Sequence, residues 1–224
     1  MRRNFAPLIA LLPLVAQAQE APPPAAAPAS ITGDYVHSQR ELIAGLRLKP
    51  DGSFEYALTV GSLDERASGR WEADGNRLRF TSDPKPIAPT VTPSRIDANP
   101  GNPFAIRVVS PSGRDLPGVD MLVEFDSGDP LDSYTPGGPW TVPDEERRTP
   151  RFVTFTMRSY RLQSARLPLD PKPGTTAVFL LTPNDFGVAD FTGVEGMVEG
   201  DAITLRRNEG SMRFRRVQPD SDGD

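Results

Sequence analysis

The chain contains no cysteine among its 224 residues. That excludes disulfides, thiolate nucleophiles, cysteine-ligated zinc and the acylated cysteine that anchors bacterial lipoproteins. Histidine is almost as scarce: His37 is the only one. A Ser-His-Asp arrangement could be built only around it, and the chain has no Gly-x-Ser-x-Gly nucleophile elbow. Following Gly33, Asp34, Tyr35 and Val36, His37 reads as a surface or strand-end residue. Helical periodicity is nearly absent, and no apolar run reaches the roughly 20 residues that span a bilayer as a helix. Basic residues are outnumbered, with 25 Lys and Arg against 30 Asp and Glu and a net charge of −5. This balance argues against nucleic acid or anionic lipid as the main partner, and no membrane insertion is expected.

What is present begins with an export pattern. The start, MRRNFAPLIALLPLVAQAQE, has a basic end, an apolar run broken at Pro7 and Pro13, and a small-x-small site at Ala16, Gln17 and Ala18. Residues 1–18 are expected to be a signal peptide cut between Ala18 and Gln19, leaving a periplasmic or secreted protein. Loss of Arg2 and Arg3 would move the net charge from −5 to −7. Arg2, Arg3, Asn4 and Phe5 carry part of a twin-arginine pattern, and the general secretory route accepts the same basic start. Residues 19–30, rich in Pro and Ala, read as a spacer, and residues 218–224 as a solvated acidic tail.

Between these ends the period is that of strands. Over residues 41–49, Leu42, Ala44, Leu46 and Leu48 alternate with Glu41, Ile43, Gly45 and Arg47, the mark of one buried face. Pro50, Asp51 and Gly52 supply a turn. Phe54, Tyr56, Leu58 and Val60 then share one side of a second strand. Residues 62–68 read as a polar connection, Gly69–Arg70–Trp71 as the start of a third strand, and Leu78 and Phe80 as the inward positions of a fourth. Such a meander has an apolar and a charged face, and its open edges need covering. The C-terminal strands, with Ile203 and Leu205, then Met212 and Phe214, are candidates to complete it into a barrel-like sheet. In between, residues 82–103 carry six prolines and read as a boundary rather than an interior strand. Strands are expected near residues 104–109, 119–125, 152–160 and 177–182, with residues 135–142 leading into another, at spacings that suit a sandwich.

Two stretches resemble known families. The pattern DGSFEY, then GRW, then DGNRLRFTS resembles the half-barrel meanders of small lipocalin-like exported bacterial proteins, with its Gly-x-Trp on the third strand rather than the first. The segment VVSPSGRDLPGVDMLVEF followed by SYTPGGPW is similar to carboxypeptidase-regulatory-like (transthyretin-like) domains. That resemblance implies a seven-stranded sandwich used as a structural or interaction module, and it brings no catalytic residue across. The expected architecture is therefore all-β: a lipocalin-like antiparallel meander or half-barrel from residues 31–82 and 184–217, with an Ig/transthyretin-like β-sandwich inserted over residues 83–183.

The chemical inventory is thin. The leading expectation is an exported, non-catalytic binding or interaction module without a cofactor. Its partner would be an envelope protein, or a small apolar ligand held against Leu46, Phe54, Tyr56, Leu58, Trp71 and Phe80. The first reading of the same six residues is an ordinary filled barrel core. The rival class is a carboxylate-based hydrolase using Asp64 or Glu65, although neighbours in extended chain face opposite ways and a solvated loop, or pairing with Arg66 and Arg70, accounts for both. Asp126, Asp129 and Asp132 sit in a Gly/Pro-bearing loop that could offer oxygens to calcium. Arg206, Arg207, Arg213, Arg215 and Arg216 form a basic cluster expected to pair with acids on a solvent face or to meet an acidic partner.

Overall fold

The computed structural model describes residues 31–208 and 210–218; the expected leader, the spacer and nearly all of the acidic tail lie outside them. The chain opens with a meander of β1 (Gly33–Gln39), β2 (Leu42–Leu48), β3 (Ser53–Val60), β4 (Leu63–Asp74) and β5 (Arg77–Ser82). The middle supplies β6 (Thr90–Ala98), β7 (Ala105–Val109), β8 (Pro117–Phe125), β9 (Leu131–Pro136), β10 (Trp140–Thr141) and β11 (Pro150–Met157). A 3₁₀ turn at Arg158–Tyr160 leads to β12 (Leu162–Gln163), β13 (Leu167–Pro168) and β14 (Thr175–Thr182). The chain then returns with β15 (Val194–Glu199), β16 (Ala202–Arg207) and β17 (Gly210–Arg216).

The returning strands complete the meander. The order β1-β17-β16-β15-β5-β4-β3-β2 closes an antiparallel barrel of eight strands, so the edges of the first meander are covered by the chain's own C-terminal part. Alternation decides which residues enter it. Ala44, Leu46 and Leu48, then Phe54, Tyr56 and Leu58, then Ala67 and Trp71 are buried, whereas Glu55, Ala57, Arg66, Arg70 and Glu72 between them are exposed. Charged out and apolar in is the reverse of a transmembrane barrel's wall. Gly69 serves a close approach: a Cβ there would stand 2.0 Å from the carbonyl oxygen of Thr81, where β5 ends.

Two features depart from the expected meander. Strand β1 was not anticipated, because only Tyr35 on it is fully buried. The polar connection expected at residues 62–68 is instead the first half of β4, paired with β3 from Val60–Leu63 through to Ser53–Arg70.

Only residues 69–74 of β4 pair with β5, which leaves the other half of β4 without a strand on that side. The chain returning from the middle fills the gap. Arg66 donates its N–H to the Gly187 carbonyl at 2.9 Å and accepts from Ala189 N–H at 2.8 Å, a parallel bridge to Val188. Phe191 follows, its N–H bonded to Ser82 Oγ at 2.8 Å and its side chain wholly buried. Gly187 and Gly193, at φ of 76° and 82°, bracket this strap with backbone that other residues rarely adopt.

The middle forms two sheets, one ordered β10-β7-β14-β6 and one ordered β12-β11-β8-β9 with β13 beside β11. They share a second core in which Val91, Ile106, Val108 and Phe179 face Val119, Met121, Val123 and Phe155, the packing of a sandwich. The resemblance implies seven strands; here there are nine, three of them two residues long. The proline-bearing β6 is an edge strand, with Pro93 at a register shift opposite Phe179, the placement that a missing N–H allows.

A candidate binding site at the joint of barrel and sandwich

Eight strands enclose an interior just wide enough to be filled by side chains or to hold one small ligand. Here side chains fill it. Leu46, Phe54, Tyr56, Leu58, Trp71 and Phe80 are all buried and belong to one cluster with Phe191, Leu205 and Phe214. The Phe191 ring lies 5.3 Å from that of Phe54, 4.7 Å from Tyr56 and 6.1 Å from Phe80 between centroids, distances typical of packed aromatic pairs. Trp71 Nε1–H donates to the Lys49 carbonyl at 3.2 Å.

At the end of the barrel where β3 turns into β4, the core gives way to charge. Glu65 shares the inward face of β4 with Ala67 and Trp71, and Arg207 that of β16 with Ile203 and Leu205. Arg207 Nη1 donates to Glu65 Oε1 at 2.6 Å and to the Tyr56 hydroxyl at 3.0 Å. The guanidinium carbon lies 5.5 Å from the centre of the Tyr56 ring and 5.1 Å from that of Phe191, so cation–π attraction helps to fix it. Burial pushes the Tyr56 hydroxyl up to about 12, with Glu65 adding to the rise and Arg207 opposing it; the phenol stays protonated.

The second guanidinium comes from the sandwich. Arg161 ends the 3₁₀ turn in left-handed backbone, φ 53°, with its N–H bonded to the Arg158 carbonyl. Its Nη2 donates to Glu65 Oε2 at 2.8 Å. Beside it, Tyr160 stacks on Phe186 of the returning linker, centroids 3.7 Å apart. One carboxylate is thus gripped by an arginine from each module. Two cavities flank the group: an apolar cleft of about 300 Å³ against Leu42, Leu58, Val60, Leu63 and Met212, and a polar recess of about 540 Å³ bearing Asp190, Thr192, Glu195, Arg206 and Asn208. Arg161 and Arg207 line both.

The other residues singled out in the sequence lie elsewhere. Asp64 faces outward, accepting from the Thr59 hydroxyl at 2.8 Å, so it and Glu65 occupy opposite faces of β4. The solvated loop expected for them is not present, and Glu65 meets neither Arg66 nor Arg70. His37 Nδ1 lies 2.8 Å from the Arg213 carbonyl. In the loop of Asp126, Asp129 and Asp132, Arg148 Nη1 donates to the Ser127 and Asp129 carbonyls, each at 2.8 Å. Among the described residues no group of three or more His, Asp or Glu could hold a metal ion. The basic cluster divides: Arg207 turns inward, Arg213 pairs with Glu199, and Arg216 binds the Tyr35 hydroxyl at 2.5 Å and the Thr32 carbonyl at 2.6 Å.

Arg161 carries no signal in the sequence, whereas Arg207 and Glu65 lie inside the barrel rather than on the solvent face expected of them. For the latter two a signal existed. Leu63, Glu65, Ala67, Gly69 and Trp71 share one parity, as do Ile203, Leu205 and Arg207, and that parity puts two opposite charges inside one barrel. No protein-family model matches the chain, and neither a curated protein nor a solved structure does so.

Proposed function

We propose that the protein is an exported, non-catalytic binding module of the cell envelope, in which a lipocalin-like barrel and a transthyretin-like sandwich together present a site at their joint. The observation that carries this reading is the Arg161–Glu65–Arg207 group, built from both modules and flanked by an apolar and a polar cavity. Joints between domains are where small-molecule pockets preferentially form, and a site assembled in this way exists only while the two modules are docked. Phe191 occupies the barrel interior, which favours the joint over the calyx as the place of binding. The hydrolase alternative is disfavoured by geometry: Asp64 and Glu65 point apart, and both Glu65 oxygens accept from guanidinium groups.

The test is recovery of the chain from the exported fraction of its own cells after mild crosslinking. A chain beginning at Gln19 that carries a specific partner or small molecule supports the reading. Turnover in a panel of sugars and esters, lost in Glu65→Gln, contradicts it.

A further inference from the structure

The two guanidinium groups at the joint differ in a way that matters for recognition. The side chains of Arg207 and Glu65 are 7% and 8% exposed, whereas that of Arg161 is 41% exposed. The first two are a fixed floor; the third is an arm that solvent reaches. Its left-handed backbone is the kind of strained conformation that clusters at binding sites. On the side of Leu58, Val60, Leu63 and Met212 the arm borders an apolar cleft, and on the side of Thr192 and Asn208 a polar recess.

We infer that this joint binds a short amphiphilic carboxylate, whose acid group exchanges with Glu65 at Arg161 while its apolar tail lies along Leu58, Val60, Leu63 and Met212. The inference rests on reading the joint as a binding site. A carboxylate matches the two-pronged donor face of a guanidinium. Exchange does not strip Glu65, because Arg207 still holds it at 2.6 Å. An amine of the same length would place a like charge beside Arg161 instead of a carboxylate, and an alcohol would forgo the charge-assisted hydrogen bonds. The cleft, of about 300 Å³, has room for a short alkyl tail such as that of octanoate. Met212 supplies a side chain that adapts to tails of different shape. Because Arg161 leaves the barrel's carboxylate to bind the ligand, occupancy also loosens the ion pair between the modules.

The test is methyl NMR on the full chain labelled at methionine, titrated separately with octanoate, octylamine and 1-octanol. Met212 reports the cleft, and Met121, buried in the sandwich core, reports the fold. Octanoate is expected to shift Met212 and leave Met121 in place. Arg161→Gln should weaken octanoate binding about tenfold or more while leaving octanol unaffected, and Arg161→Lys should restore part of the loss. If octanol or octylamine matches octanoate, or if Arg161→Gln binds octanoate normally with an unshifted Met121, the carboxylate assignment is overturned and the joint survives as a binding site. If none of the three probes moves Met212, the assignment and the reading of the joint both fall.

Discussion

Glu65 and Arg207 meet across the mouth of the barrel, Oε1 to Nη1 at 2.6 Å, with each side chain less than a tenth exposed. An ion pair so placed is costly to desolvate, and its value to stability is small unless both partners stay. Removing one leaves a buried charge behind. Glu65→Ala and Arg207→Ala are each expected to cost about 3–5 kcal/mol in urea unfolding. The double Glu65→Ala, Arg207→Ala variant should cost less than the two single changes together by about 1–3 kcal/mol. Strictly additive losses would mean that the pair is not coupled.

Phe191 sits on a connecting strap, yet it packs against Phe54, Tyr56 and Phe80. Truncation to alanine should therefore cost about 3–5 kcal/mol, as for a core phenylalanine and as expected for Phe54→Ala. Phe186, five positions earlier and only half-buried, should cost clearly less. Equal, small effects in chemical denaturation would mean that the strap is a surface loop.

Tyr56 makes the alkaline limit testable. Its hydroxyl is raised, chiefly by burial, from 10.0 to about 12. A raised folded-state value stabilises fully below the unfolded value and is lost as pH rises through the folded one. The contribution, up to ~3 kcal/mol, should thus be intact below pH 10 and fade towards pH 12. Tyrosinate absorbance should show late titration, to which Tyr35, also raised by burial, contributes, and Tyr56→Phe should remove one late-titrating group.

Glu146 tests the acid side. Hydrogen bonds from the Arg148 side chain, then its backbone N–H, hold the Glu146 carboxyl at about 2 instead of 4.5. A lowered value stabilises above the ordinary range and is lost as pH falls through the folded one, so the contact should break only near pH 2. Carboxyl NMR titration should show this, and Arg148→Ala should raise Glu146 only part of the way to the ordinary range, because the backbone N–H of residue 148 still donates to it.

Arg148 also occupies the Ser127 and Asp129 carbonyls beside Asp126 and Asp132. Calcium in the millimolar range should accordingly leave the melting temperature unchanged. A rise would mean that the loop reorganises around the ion.

Alternation carried the fold a long way. The run from Leu46 to Trp71 put Phe54, Tyr56 and Leu58 on one face, and the repeat around Ile203 and Phe214 marked the strands that close the barrel. Strand β1 escaped because GDYVHSQ offers a single fully buried side chain, too little for a period. Glu65 and Arg207 escaped for a different reason. A charged residue in a polar run reads as solvated, and only their parity with Trp71 and with Leu205 says otherwise. Phe191 and Arg161 were not legible at all. Each reaches the barrel from a connection, so its position is fixed by how the sandwich docks rather than by its neighbours in sequence.

The proposed place of binding is the joint of barrel and sandwich rather than the barrel interior. Native mass spectrometry of the chain recovered from the exported fraction of its own cells tests it most directly. The expected result is a polypeptide starting at Gln19 with an added small mass that is lost on denaturation and absent from Arg161→Gln. A bare polypeptide, or an added mass that survives Arg161→Gln and disappears only when Phe191 is replaced by a larger tryptophan, would contradict it.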